Sequence, residues 1–215
     1  MFQKIIDFIR FWKYNTHPAR MEFKARKVTL FGAERAFDFF KDEQFRKLIF
    51  FDKKDEEERN RFFNELTVTN IVLLMLMLEQ IIRETEDEDK KEYLRAFRKT
   101  IPEYFKNFIR RIGIPEQYAN LWDGLIDMRY NEYVNEMGRM RGEFLKQNDE
   151  LLREYALDNK IMLFQTIVLG LYRHLMRGKI RKDDPLYKYL QPYLLQIHKG
   201  YLKRIYNNGL KYLIF

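Results

Sequence analysis

Paired carboxylates are the residues of this chain whose types and spacing come nearest to chemistry. Asp123 and Asp127 lie one helical turn apart, as do Glu132 and Glu136. Two carboxylates at that spacing can divide acid and base work or hold a divalent ion. Arg129 and Arg139 stand close enough to neutralise them, so the row reads as a solvated helical face. Glu79, at the edge of the most apolar stretch, reads as a buried acid with raised pKa or as a partner of Arg83, four residues on. The residues three before His17, His174 and His198 are Tyr14, Leu171 and Leu195, so the Glu-x-x-His pair of di-iron bundles is absent. No HExxH occurs, and no His–carboxylate group has ligand spacing. His174 reads as a satisfied surface or core histidine. The glycines are scattered singly, which leaves no phosphate loop. The chain has neither Ser nor Cys, so the common hydroxyl and thiol nucleophiles are missing, as are disulfides and thiolate metal sites. Rare nucleophiles such as Thr or Lys remain open, and no metal or cofactor is expected.

Charge directs attention elsewhere. The chain of 215 residues carries a net +8. Residues 1–35 balance at +5 and residues 172–215 at +8, while residues 36–171 balance at −5. Basic ends around a mildly acidic body suit an anionic partner such as nucleic acid, ribosomal RNA, lipid headgroups or an acidic protein; they also serve solubility. The chain holds 19 Phe, 14 Tyr and two Trp, and in YKYLQPYLLQIHKGYLKRIYNNGLKYLIF aromatics alternate with cations. That pattern can stack bases and neutralise phosphates, anchor a helix at a membrane interface, receive an apolar partner, or line a helix–helix seam.

The elements that position these residues are helical almost throughout, by apolar periodicity. The reading is an all-α, single-domain irregular bundle of six to eight helices with a central apolar helix. Residues 1–32 form a basic N-terminal amphipathic helix and connection, and residues 33–215 the bundle. In MFQKIIDFIRFWKYNTHPAR the apolar positions Phe2, Ile5, Ile6, Ile9 and Trp12 recur at helical spacing with cations between. This segment reads as packing on the body rather than lying on a membrane surface, and no cleaved signal is expected. A turn is expected at Thr29–Gly32 and a second helix from Ala33 to Phe50, followed by a solvated charge run, DKKDEEERNR. In NIVLLMLMLEQII, Ile71 to Leu78 are apolar on every face, the mark of a helix surrounded by neighbours. Charged sequence closes both ends too soon for a bilayer span. TEDEDKKE, residues 85–92, reads as a polar turn. Thr100-Ile-Pro-Glu103 predicts a kink or fresh start, Gly113 a left-handed cap, and Pro115 the start of a long helix to Leu145. One helix is expected over Leu151–Met176, ended by Gly178. Asp184-Pro185 should open the last helix, with a bend or restart at Pro192.

Three blocks carry a family resemblance: RFFNELTVTNIVLLMLMLEQI (61–81), PEYFKNFIRRIGIPEQYANLWDGLIDMRYNEYVNEM (102–137) and LGLYRHLMRGKIRKDDPLYKYLQPYLLQI (169–197). A charged stretch with Arg-Phe leads into a leucine-rich helix. A helix ending in Arg-x-x-Gly then steps into a longer basic-aromatic helix, and an Arg-containing helix leads by a short linker into an aromatic-apolar one. In this order the chain resembles the ubiquinol-cytochrome c chaperone family, helical assembly factors for the cytochrome bc1 complex, over roughly residues 36–200. The family often has a histidine in its leucine-rich helix; here Asn70 is the nearest polar residue.

The resemblance implies binding without catalysis: assembly of a membrane respiratory subunit such as cytochrome b, from the cytoplasmic side and peripheral at the inner membrane face, with the ribosome or an anionic membrane surface as further contacts. The expected anionic contacts are Arg173, Arg177, Lys179, Arg181 and Lys182, with Arg110 and Arg111 second. Trp122 and Tyr130 are expected in the client groove, although both also suit the core. The alternatives are a nucleic-acid-binding helical protein using its basic terminal segments, and an enzyme or small-ligand receptor using the bundle interior.

Overall fold

Nothing between Leu66 and Leu78 can hold a charge, so burial on all sides is the stable outcome for that stretch. The computed structural model describes residues 18–181 and 183–205. Among these it has eight α-helices and no strand: α1 Pro18–Lys41, α2 Glu43–Leu48, α3 Glu56–Glu84, α4 Glu88–Arg111, α5 Glu116–Leu145, α6 Glu150–Leu157, α7 Asn159–Leu175 and α8 Pro185–Ile205. A short 3-10 turn, Phe51–Lys53, joins α2 to α3. Helix α3 is the axis, packed against α1, α4, α5, α7 and α8. Every residue from Glu65 to Leu78 is buried. By length and composition α3 could cross a bilayer, but most of that stretch lies inside the protein.

The ends of α3 follow local chemistry. Asp55 accepts from the Glu58 amide at 2.8 Å and N-caps the helix. Glu56, Glu57 and Glu58 place negative charge at the positive end of the dipole, and Arg83 occupies the last turn. Asp42, Asp87 and Asp149 cap α2, α4 and α6 in the same way.

The helical order agrees with the sequence reading, whereas several breaks do not. The turn expected at Thr29–Gly32 is absent, and so is the start at Ala33. Helix α1 runs unbroken through both, so the expected boundary between residues 32 and 33 falls inside a helix. Gly32 marks close approach instead: a Cβ there would lie 2.1 Å from the Tyr201 hydroxyl of α8. Helix α4 likewise runs through Pro102. Thr100 donates to the Phe97 carbonyl at 2.7 Å rather than capping, and buried Phe97, Ile101, Tyr104 and Phe105 hold both halves on the core. Helix α8 continues through Pro192. The helix expected over Leu151–Met176 is two helices. Asp158 breaks it by accepting from the amides of Lys160 at 2.7 Å and Ile161 at 3.0 Å. The polar turn is shorter than expected, because α4 begins at Glu88. The N-terminal amphipathic helix expected before Pro18 lies outside the described residues.

Gly113 and Pro115 behave as expected. Gly113 has φ +93°, with the Ile114 amide bonded back to the Ile109 carbonyl, the closing bond of a left-handed cap. Within α5, Gly138 and Gly142 have open space where a Cβ would stand. Replacing each with alanine should add roughly 0.5–1 kcal/mol through helix propensity alone. Urea denaturation of the single and double variants checks this.

Candidate anion-binding cleft

Two chain reversals build the cleft. After α2 the backbone turns at Phe50, φ +55°. After α7 it turns at Arg177, φ +50°, and Gly178, φ +78°. The Gly178 amide reaches the Arg173 carbonyl at 2.8 Å and the Arg177 amide the His174 carbonyl at 3.3 Å. This bond pair normally puts glycine at the position Arg177 holds. Only Phe50, Arg177 and Asp183 combine a side chain with positive φ among the described residues. Two of the three line one open cleft of about 440 Å³. Non-glycine left-handed backbone costs about 1–2 kcal/mol per residue, a cost usually found at working surfaces.

Six cations face this cleft, Lys53, Lys54, Arg61, Arg177, Lys179 and Arg181, against two carboxylates, Asp55 and Glu58. Two of the six are held by one carboxylate. Arg61 pairs bidentately with Glu58, at 3.0 and 2.9 Å, and also donates to the α7 carbonyls of His174 and Leu175. Arg177 pairs with the same carboxylate. Hydrogen bonds from Arg61 and then Arg177 hold the Glu58 carboxyl down at about 2. Lys53, Lys54, Lys179 and Arg181 line the cleft and have no carboxylate partner among the described residues. Phe50 and Ile180, 60% and 59% exposed, stand beside them.

Of the expected anionic contacts, Arg177, Lys179 and Arg181 therefore meet at one place. Lys182 lies outside the described residues. Arg173 is drawn away by Glu136 of α5 at 3.0 Å and does not line the cleft. Arg110 and Arg111 close the end of α4: Arg110 forks onto Glu116 and Arg111 approaches Glu22 at 3.8 Å. The sequence reading missed Lys53 and Lys54, because a charge run beside an acidic stretch reads as solvent-facing connection. Only the fold brings it against the linker after α7.

The client groove expected around Trp122 and Tyr130 needs correction. Trp122 is packed edge-on to Phe105, with centroids 4.9 Å apart, and the Tyr130 hydroxyl accepts from Arg98 at 3.1 Å. Both rings fill the α4–α5 seam. Beside the packed face of the same helix lie the exposed apolar residues Tyr118, Leu121 and Met128, with Leu125 half-buried between them. Gly124 leaves a notch among them, with nothing within 4 Å of its Cβ position. From 116 to 128 the charged residues are Glu116, Asp123 and Asp127, with no cation.

The carboxylate rows on α5 are tied up in ion pairs. Asp123 meets Lys106, Glu136 meets Arg139 and Arg173, and Arg129 bridges Glu65 and Glu132. Asp127 stands exposed. Glu79 lies 3.4 Å from Arg98 and 3.9 Å from Arg83. No group of three or more His, Asp or Glu among the described residues could hold a metal ion.

His174 of α7 packs against α5 beside Tyr133, with Nε2 3.1 Å from a Glu132 oxygen but without hydrogen-bond geometry. Burial, foremost, holds its pKa below the ordinary 6.5, against the pull of the Glu65 charge. Burial lowers His198 too, with Lys160 adding to it. A histidine whose folded pKa is depressed stabilises the fold above its unfolded pKa and loses that contribution as pH falls. Stability should therefore drop on acidification below about 6.5, and His174→Gln with His198→Gln should flatten the drop, as read by urea midpoints at pH 7.5 and 5.5.

Comparison with protein-family models, with curated proteins and with solved structures returns no match for this chain.

Proposed function

We propose that this protein is a non-catalytic assembly chaperone, as its resemblance to the ubiquinol-cytochrome c chaperones suggests, working at an anionic membrane surface. A membrane respiratory subunit such as cytochrome b is its client. The observation that carries the membrane half of this reading is the opening of the cleft. Four cations without carboxylate partners stand there beside exposed Phe50 and Ile180. Cations meet lipid phosphate, while an aromatic and an aliphatic side chain enter the headgroup boundary. Isoleucine offers no face on which a base could stack, so lipid is favoured over nucleic acid. The apolar stripe on α5 is the surface for the client's apolar segment.

Sedimentation with vesicles holding about one-third anionic lipid tests the surface contact. Each basic residue near such a membrane is worth about 1 kcal/mol. Lys53→Glu, Lys54→Glu, Lys179→Glu and Arg181→Glu together should weaken binding at least about 100-fold. Phe50→Gly should also weaken it while leaving stability unchanged or raised by up to about 1 kcal/mol, since glycine tolerates the left-handed backbone. Salt-sensitive RNA binding abolished by the same reversals, with no vesicle binding, would establish the nucleic-acid alternative instead. Affinity capture from the native host in gentle detergent, followed by mass spectrometry, tests the client: recovery of no membrane protein removes that half.

A further inference from the structure

We propose that the cleft between the reversals after α2 and α7 binds a phosphate monoester as one discrete ligand, beyond any general attraction to charged surfaces. This deepens the membrane reading above and rests on it only for the source of the phosphate. Three observations carry it.

The first is preorganisation. Each cation without a carboxylate partner stands on backbone that is already tied down. The Lys53 amide donates to the Phe50 carbonyl at 3.0 Å and the Lys54 amide to the Phe51 carbonyl at 3.1 Å. Across the cleft, the Lys179 amide donates to the Met176 carbonyl at 3.1 Å. The Arg181 amide donates at 3.1 Å to the hydroxyl of buried Tyr172, which itself donates to Asp184 at 2.9 Å. Arg61 ties the two walls together, reaching Glu58 of α3 at 2.9 Å and the Leu175 carbonyl of α7 at 3.0 Å. Attraction to a broad charged surface needs no such fixing. Cations held in place on two walls reduce the cost of ordering side chains around a single anion.

The second is charge. Six cations against two carboxylates leave the lining at +4. The Glu58 carboxylate, gripped by both Arg61 and Arg177, shows that the cleft already holds one oxyanion. The four remaining cations are left for a second. A phosphodiester brings a single negative charge. A monoester carries about −1.5 to −2 at neutral pH, with three strong acceptor oxygens. Arginine's planar fork matches those oxygens, and both Arg177 and Arg181 are exposed.

The third is the apolar lining. Leu48, Ile49, Phe50, Leu175 and Met176 share the cleft with these cations. Its volume of about 440 Å³ falls in the range of small-molecule sites. A ligand there meets hydrocarbon beside its phosphate, which favours a monoester with an acyl chain over a bare sugar phosphate.

Sedimentation with vesicles of matched surface charge tests the site. One set holds phosphatidic acid, a monoester, and the other about twice as much phosphatidylglycerol, a diester, both in phosphatidylcholine. The full chain should bind the phosphatidic acid set at least about tenfold more tightly. Arg181→Lys keeps the charge and loses the fork. It should remove most of that preference and leave phosphatidylglycerol binding within about twofold. Equal binding to the two sets, or a preference untouched by Arg177→Lys with Arg181→Lys in protein of parental urea midpoint, would overturn the site and leave the membrane reading standing. Calorimetry with glycerol 3-phosphate and with dioctanoyl phosphatidic acid separates the sources. Binding at least about tenfold tighter for the lipid assigns the headgroup, and equal affinity assigns a soluble phosphate ester. Monoester binding in the calorimeter without binding to either vesicle would keep the site and sink the membrane reading. Binding in neither assay would end both.

Discussion

Replacing Arg129 with methionine is expected to remove about 3–5 kcal/mol of stability, and replacing Glu65 as well is expected to restore most of it. The Arg129 guanidinium forks onto Glu65 at 3.0 and 2.6 Å and reaches Glu132 at 3.0 Å. The two bridging side chains are only 13% and 7% exposed. Burial alone would lower the Arg129 pKa, and the Glu65 hydrogen bonds reverse that. Removing the cation strands a carboxylate inside the α3–α5 seam, and such a loss is severe because one charge is left without an equivalent partner. Set against the 5–15 kcal/mol typical of a whole fold, it is a large fraction. Glu65→Met with Arg129→Met removes both charges and substitutes apolar volume, so the double variant should lie within about 1–2 kcal/mol of the parent. Urea denaturation of the four proteins completes the cycle. A cost below about 1 kcal/mol for Arg129→Met alone would mean that water reaches Glu65 and that the seam is wet.

That bridge shows where the sequence was legible and where it was not. The all-helical class, the central position of α3 and the caps at Gly113 and Asp184 rest on local signals: apolar period, capping residues, one glycine at one left-handed site. Such signals need no knowledge of neighbours. Arg129 stood out only as a local neutraliser of Asp127 and Glu132. Its partner Glu65 lies 64 positions away, and no spacing rule links them. The breaks failed for a related reason. Pro102 and Pro192 carry a helix-breaking signal, but buried residues on both sides of each hold α4 and α8 straight through. Gly32 was ambiguous between a turn and a close contact, and only Tyr201 of α8 decides it. Asp158 was readable in principle, since an aspartate before Asn-Lys-Ile can cap a helix. The unbroken apolar run hid it.

The cleft follows the same division. A basic linker was visible around residues 177–181, and its attraction for anions follows from charge alone. Its other wall, Lys53 and Lys54, requires the end of α2 to meet the end of α7, which is tertiary information. On α5 the sequence left Trp122 and Tyr130 between a groove and the core, and the structure packs both into the α4–α5 seam. Trp122 and Tyr130 are the large aromatics that recognition surfaces favour, but size also favours the core. With polar and charged residues interleaved all along α5, periodicity could not say which side α4 would cover.

Asn70 is the remaining test of how the core is specified. Asn70→Asp is expected to be the most disruptive single-atom exchange in the chain, costing roughly 3–5 kcal/mol near neutral pH. Asn70 is fully buried in α3. Its side-chain amide donates to the Gly32 carbonyl of α1 at 2.9 Å and to the Tyr193 hydroxyl of α8 at 2.7 Å, and its backbone carbonyl accepts from the Tyr201 hydroxyl at 2.9 Å. One polar side chain thus fixes how three helices meet. In the aspartate variant an oxygen replaces the donor and faces the Gly32 carbonyl, so attraction becomes repulsion around a charge that water cannot reach. Burial of that carboxyl raises its folded pKa above its unfolded value, so the fold binds the proton more tightly than the unfolded chain. The penalty is therefore absent below about pH 4 and grows as pH rises through the folded pKa. Asn70→Leu removes the same donor without adding charge; it should cost about 1–3 kcal/mol, mainly the stranded Tyr193 hydroxyl, with no dependence on pH. The difference between the two variants, followed by urea midpoints from pH 7.5 to 4, should shrink steadily on acidification. A difference that stays constant would show that the carboxylate finds a cation or water, and that Asn70 is a replaceable core residue rather than the clamp joining α1, α3 and α8.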